Sequence, residues 1–293
     1  MRLCFCEPDH SLSCGAYLAY ASKRQGPYSR FMHMHPDTVE VILITDGAGK
    51  YFIDNRSYPV NAGDLVVYNS LVVHDEYLQD GNTICCGIRK LIRPGQRPGA
   101  LISDDVVPVF PLHHHYDNIA LLMNAIFMML NSSAEHRQTM AQEITLVLLN
   151  YITSNVLPIQ EAPRLKKKND SVQDLTLAAS VKTFIDDNFR EPIRLEALAQ
   201  TFRVSPFYIS HEFKKRYGYS PMDYLIKRRL GEAQTLLTTA DEQGALSSIT
   251  NIAYQVGFNN LSHFQNYFRN KVGKTPGQYR NEYLQANYRL LKA

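Results

Sequence analysis

The stretch VSPFYISHEFKKRYGYSP, residues 204–221, decides how this chain reads, because its pattern returns as VGFNNLSHFQNYFRNKVGKTP at residues 256–276. Just before the first stretch, Leu195, Leu198, Ala199 and Phe202 recur at i, i+3, i+4 and i+7. That is the stripe of a short helix with one buried face. Ser205-Pro206 then supplies a hydroxyl N-cap with proline at the first helical position, so a second helix starts after a tight turn. This helix buries Ile209, Phe213 and Tyr217, and Gly218 stands where a helix closes on a left-handed residue. In the second copy Ile249, Ile252, Ala253 and Val256 repeat the first stripe member by member. Phe264, Phe268 and Val272 repeat the second stripe, with Gly273 for Gly218, Pro276 for Pro221 and Tyr279 for Tyr224. A helix–turn–helix written twice with one buried pattern is an internal repeat.

Each second helix leaves a face outside its stripe. In the first copy it carries Phe207, Ser210, His211 and Lys214; in the second, Ser262, Gln265, Asn266 and Arg269. These are mostly hydrogen-bonding side chains of groove-reading size with a cation at the far end, and Lys215, Arg216, Lys271 and Lys274 add charge for phosphates. For one copy alone an ordinary solvated face explains the pattern equally well. Between the copies, however, Ser220-Pro221 opens a helix running to about Leu237, with Tyr224, Leu225, Leu230, Ala233 and Leu237 available for packing. A rigid helix there would fix the spacing of two readers, as consecutive major grooves ~34 Å apart require. Double-stranded DNA is the expected partner.

The rest of the chain supports that division. Its 293 residues suffice for two domains, and 45% hydrophobic residues leave a core for each. The net charge of +3 is uneven: residues 172–293 hold 16 Lys+Arg against 11 Asp+Glu, and residues 1–171 hold 15 against 17. An anionic partner is therefore expected for the second half only. No apolar run reaches the ~20 residues of a membrane span, and the N-terminus MRLCFCEPDH is no signal peptide, so the expected location is the cytoplasm, with no membrane partner. Cys4, Cys6, Cys14, Cys85 and Cys86 are odd in number and lack CxxC spacing, which predicts reduced thiols. The vicinal pair Cys85–Cys86 reads as buried strand thiols.

Residues 30–90 read as short strands. Val41–Ile44, Tyr51–Ile53, Leu65–Tyr68 and Thr83–Ile88 alternate with turn signals at Gly47-Ala48-Gly49, Asp54-Asn55 and Asn61–Asp64, predicting a small sandwich or barrel. After Pro111 the period becomes 3.6, predicting helices near 117–131 and 140–156 that cap the strands or pair two subunits. PIQEAPRLKKKNDS, 158–171, reads as a linker. The domains predicted are thus 1–157, a linker at 158–171, and 172–293. His113-His114-His115 reads as a solvated turn, and Gly273-Lys274-Thr275 lacks the first glycine of a phosphate loop.

Residues 172–283 resemble the DNA-binding domain of the AraC/XylS family of bacterial transcription regulators. The resemblance is carried by Ala199, Ser205, Phe213-Lys214-Lys215, Gly218, Pro221, Arg229, Ala233 and Leu236-Leu237. It continues through Ile252-Ala253, Val256-Gly257-Phe258, Phe264, Phe268, Lys274-Thr275-Pro276 and Tyr279-Arg280. It implies that Phe207, Ser210 and His211, then Leu261, Ser262 and Asn266, touch bases. His33-Met34-His35, Glu40 and Gly47, followed by Gly63 and His74, resemble the cupin pattern, in which three histidines and a glutamate hold a divalent ion. In AraC-type regulators such a cupin-like barrel senses an effector, commonly a sugar. His33, His35, Glu40 and His74 are accordingly the candidate effector-binding residues, with metal only the minor reading and no cofactor expected. The fold class implied is α+β, a cupin-like barrel with dimerisation helices before an all-α domain of two helix-turn-helix motifs on a linker helix. The function implied is an effector-responsive activator that dimerises and contacts RNA polymerase rather than an enzyme. A metal-dependent cupin oxygenase or isomerase with a DNA-binding anchor is the alternative.

Overall fold

The computed structural model describes residues 15–54, 56–158, 172–238 and 245–292. The chain divides into two compact units, residues 1–28 with 34–166 and residues 29–33 with 167–293. The linker expected at 158–171 lies outside the described residues apart from Pro158, as do Cys4, Cys6 and Cys14.

Strands of the first unit are β1 (Tyr17–Gln25), β3 (Thr38–Ile53), β4 (Arg56–Asn61), β5 (Asp64–Tyr68), β6 (His74–Arg89) and β7 (Val109–Pro111). All pair antiparallel, in the order β1-β6-β3-β5-β7, with β4 also on β3. Successive side chains of a strand point to opposite faces, and here both faces are buried. Val39, Val41 and Leu43 join Leu65, Val67, Cys86 and Ile88 in one cluster, while Ile42, Ile44, Tyr51 and Ile53 join Val66, Tyr68, Leu78 and Cys85 in another. The first cluster is completed by helices α1 (Tyr116–Leu130) and α2 (Arg137–Tyr151), through Ile119, Met123, Ile126, Leu148 and Leu149. Both helices fall where the 3.6 period predicts them, and α2 runs on as a π turn over Ile152–Val156. His113–His115 form a single 3-10 turn, with His115 3.0 Å from the Tyr151 hydroxyl.

One turn prediction fails. Gly47-Ala48-Gly49 lies inside β3, which passes straight through to Ile53. The glycines serve close backbone approach instead. Gly47 (φ 81°) pairs with Gly81 (φ 144°) across β3 and β6, and a Cβ on either would strike the opposite backbone at 1.8 or 2.2 Å. Register shifts flank the pair, between Ile44 and Asp46 and between Ala48 and Gly49. A glycine bulge bends a long strand where a turn would end it.

The second unit is helical: α3 (Val172–Asn188), α4 (Leu195–Thr201), α5 (Pro206–Tyr217), α6 (Pro221–Thr238), α7 (Ile249–Gln255), α8 (Leu261–Val272) and α9 (Pro276–Lys292). The caps read from sequence are in place. Ser205 Oγ accepts from Tyr208 N at 3.1 Å, and Gly218 and Gly273 are left-handed at φ 76° and 81°. At α8 the cap is Asn260, accepting from His263 N. Leu198, Ala199, Ile209, Phe213 and Tyr217 are buried in the first motif, and Ile252, Ala253, Val256, Phe264 and Phe268 in the second.

The remaining part of this unit comes from far upstream. Residues 29–33, the body of β2 (Tyr28–His33), lie on α6. The Gln234 side chain accepts from Phe31 N at 2.7 Å and donates to Ser29 O at 2.9 Å, gripping both polarities of an extended backbone. Arg228 Nη1 donates to Met32 O at 3.0 Å, and Phe31 enters the second core beside Leu230 and Ala233. Gly231 makes room: a Cβ there would lie 2.1 Å from Met32 O.

Candidate nucleic-acid interface and effector slot

The two second helices present corresponding positions, one set in each copy of the repeat. On α5, Phe207, His211, Lys214 and Lys215 are exposed and Ser210 is half-buried. On α8, Ser262, Gln265, Asn266 and Arg269 are all exposed. Leu261 is half-buried, its side chain against the second core. Lys274 is half-buried and paired with Glu282. Cations gather in the last turns, Lys214, Lys215 and Arg216 on α5 and Arg269 and Lys271 on α8, where they also complement the helix dipole. Each open face therefore offers hydrogen-bonding or apolar tips near its start and positive charge near its end, the order in which base edges and phosphates are met in a major groove. Two of the arginines of this half are not at its surface. Arg228 is buried against Asp186, and Arg229 is buried with Nε on Phe189 O and Nη2 on Glu191 O.

In the first unit one row of residues crosses four strands. Tyr20 of β1 and Glu40 of β3 both stand opposite Gly87 of β6, and Tyr68 of β5 stands opposite Glu40. Gly87 has no side chain, and the Tyr20 ring occupies that space, 2.4 Å from where a Cβ would stand. Its hydroxyl can thus reach across β6 and donate to Glu40 Oε1. His74 Nε2 lies 3.1 Å and His35 Nε2 3.4 Å from Glu40 Oε2, and the Cys85 thiol 3.7 Å from Oε1. The Tyr68 ring stacks on His74 with centroids 3.8 Å apart. Burial alone would raise the Glu40 carboxyl, but the charge and hydrogen bonds of His35 and His74 outweigh it and hold the acid well below the usual carboxylate range. Burial, then the Glu40 charge, pushes the Cys85 thiol well up, and burial alone takes Cys86 to about 12. Neither thiol is a nucleophile there.

Of the predicted effector residues, His35, Glu40 and His74, all in this unit, come together, with ligand atoms within 4.8 Å of one another. His33 falls on the stretch counted with the second unit, its Nδ1 2.9 Å from Phe31 O. His74 Nδ1 must donate to Val72 O (2.9 Å), since a carbonyl only accepts. Its Nε2 then faces the carboxylate either as an imidazolium donor or as a lone pair that needs a proton, a hydroxyl or a cation between. Two imidazoles and a carboxylate are donors a divalent ion also accepts, so His35, Glu40 and His74 form a set that would fit such an ion.

A separate cavity of about 210 Å³ in this unit is lined by Ile53, Tyr58, Val67, Asn69, Arg97 and Asp104 among others. Three of its polar side chains bond one another, Arg97 to Asp104 at 2.8 Å and Asn69 to Asp104, and Asn69 also donates to the Ile102 carbonyl.

Comparison with known proteins settles the family. An AraC-like ligand binding domain model matches residues 16–149 and a helix-turn-helix domain model residues 198–282. The uncharacterized HTH-type transcriptional regulator YdiP of Escherichia coli K12 is 29% identical over 257 residues, covering 86% of this chain and 81% of that protein. The HTH-type transcriptional activator RhaS of Shigella flexneri serotype 5b is 23% identical over 278 residues, 92% of this chain and 93% of that one. This chain is an AraC-family transcriptional regulator. Among solved structures, fatty-acid-bound ToxT of Vibrio cholerae matches with a TM-score of 0.46 at 15% identity, over 90% of this chain and 94% of that one.

Within this AraC-family chain, sequence reasoning misses Tyr20, Tyr68 and Cys85. They approach Glu40 through cross-strand register, which no local spacing encodes. The one available signal is the alternation of β1 and β6, which places Tyr20 and Gly87 where they can face each other only once the pairing is known. No helix among the described residues is long and apolar enough to cross a membrane.

Proposed function

We propose that this AraC-family regulator is a sequence-specific, cytoplasmic, homodimeric activator of transcription. Its effector is a small polyhydroxylated molecule, a sugar or related carbon source, held at His35, Glu40 and His74, with His33 just upstream in the chain. The observation that carries the DNA reading is the pair of recognition helices, α5 and α8, which present corresponding positions, three exposed and one half-buried on α5 and four exposed on α8, with one central helix between them. Gln265 and Asn266 suit adenine edges, and Lys214, Lys215 and Arg269 suit phosphates. Leu121, Met128 and Val147, each more than half exposed on α1 and α2, supply an apolar face for dimerisation. The bound dimer then contacts RNA polymerase, and the relative RhaS is itself named an activator.

For the effector, a buried carboxylate held ionised, two imidazoles and a tyrosine hydroxyl form a hydroxyl-binding set. The route outward is covalent: His35 lies just past the stretch 29–33 that α6 grips, so a shift at Glu40 is carried along the chain to the helix that spaces α5 and α8. Footprinting on a bound promoter fragment with a panel of sugars tests this. One sugar is expected to change the footprint, and Glu40→Gln to raise the sugar concentration required at least tenfold, from losing charge-assisted hydrogen bonds of ~1.5–3 kcal/mol, with the sugar-free footprint kept. A footprint indifferent to every sugar and to Glu40→Gln would remove the effector assignment.

A further inference from the structure

The repeat contains its own control for one residue. Phe207 is 81% exposed, more than any other large hydrophobic among the described residues. Its counterpart in the second copy is Ser262, exposed at the same place on α8. The fold thus needs no apolar side chain at this position, and leaving one in water forgoes favourable burial. Phe207 also does not stand alone. Its ring stacks on His211 one turn later, centroids 6.2 Å apart and 20° from parallel. His211 is steadied by Glu212, Nδ1 to Oε1 at 2.9 Å, and Glu212 is itself buried and within 3.6 Å of Lys215. The result is a flat apolar plate at the leading end of α5, in the turn that enters a major groove first. The apolar feature of that groove is the 5-methyl group of thymine.

We infer that Phe207, backed by His211, selects thymine through its 5-methyl group, so that α5 reads methyls while α8 reads hydrogen-bonding base edges with Gln265 and Asn266. This rests on the DNA-binding reading above and gives the two halves of each site different chemistries. The cations Lys214 and Lys215 on the same helix make DNA, rather than an apolar protein surface, the occupant that fits.

The test is selection from random duplexes by the full-length protein at near-physiological salt, run for wild type and Phe207→Ala. Thymine in the winning site is then replaced by deoxyuridine. Wild type is expected to require thymine at one or two positions in one half of the site. Uracil there should weaken binding about fourfold, as one lost methyl contact would. Phe207→Ala should lose both the preference and the uracil effect while the other half-site stays as selective as before. A thymine preference unchanged in Phe207→Ala, or a uracil effect equal in both proteins, overturns the inference and leaves DNA binding standing. Unchanged selection with lost activation would assign Phe207 to a protein partner instead. Failure of wild type to enrich any sequence overturns this inference and the DNA-binding reading together.

Discussion

Replacing Arg228 with alanine is expected to destabilise the protein by about 3–5 kcal/mol, the range for removing one member of a buried ion pair. Arg228 is 1% exposed, in the middle of α6. Its Nε donates to Asp186 Oδ1 at 2.9 Å and its Nη1 to Met32 O at 3.0 Å, and its guanidinium lies 4.7 Å from the Phe189 ring centroid. Asp186 also accepts from the Tyr224 hydroxyl at 2.9 Å and pairs with Lys182. Burial first, and the Asp186 charge next, push the Tyr224 hydroxyl well above its ordinary range, so it remains a donor. Alanine would leave Asp186 Oδ1 without its guanidinium, with only Tyr224 and Lys182 to hold the carboxylate, and Met32 O without this donor. Urea denaturation of Arg228→Ala, Asp186→Ala and the double variant measures the coupling: the double should lose clearly less than the sum of the singles. Additive losses, or a loss for Arg228→Ala below ~1 kcal/mol, would mean that water reaches the guanidinium.

Gly231→Ala should destabilise by about 1–3 kcal/mol, the range for overpacking, although glycine to alanine inside a helix ordinarily gains about 1 kcal/mol. The sign reverses because the new Cβ would lie 2.1 Å from Met32 O and 2.6 Å from Phe31 O, both backbone atoms that cannot rotate away. Gly277, near the start of α9, is the internal control. A Cβ there meets only the Ile249 Cδ1 at 3.7 Å, so Gly277→Ala should be neutral or stabilising. Thermal denaturation of the two variants side by side gives the comparison. A stabilised Gly231→Ala would show that residues 29–33 do not rest on α6. Because the same contact is the proposed route from effector to DNA, Gly231→Ala should also blunt any sugar-dependent change in the footprint.

These two sites mark where the sequence stops being legible. The helix-turn-helix pair is readable because its information is local: stripes at 3.6 spacing, Ser205 and Pro206 at one end of a helix and Gly218 at the other. The helices α1 and α2 are readable for the same reason. Glycine is ambiguous, since Gly47 offers the same signal whether it closes a turn or lets two strands approach, and here it does the second. The lysine and arginine run at 227–229 looks like solvated positive charge, yet Arg228 and Arg229 serve the core. Nothing in YSRFMH, 28–33, indicates that most of it will lie on a helix as far down the chain as α6. In the candidate site, the histidine and glutamate spacing identifies the polar members, while Tyr20, Gly87 and Tyr68 emerge only from strand register.

The central claim is that this AraC-family chain reads specific DNA with α5 and α8. A genome-wide pull-down tests it most directly: purified full-length protein and fragmented genomic DNA at near-physiological salt, with the retained fragments sequenced. Discrete enrichment upstream of a few genes is the predicted result, and those genes would name the sugars to try first. Uniform retention that fades as salt rises would mean contact with the phosphate backbone alone, and would contradict the account.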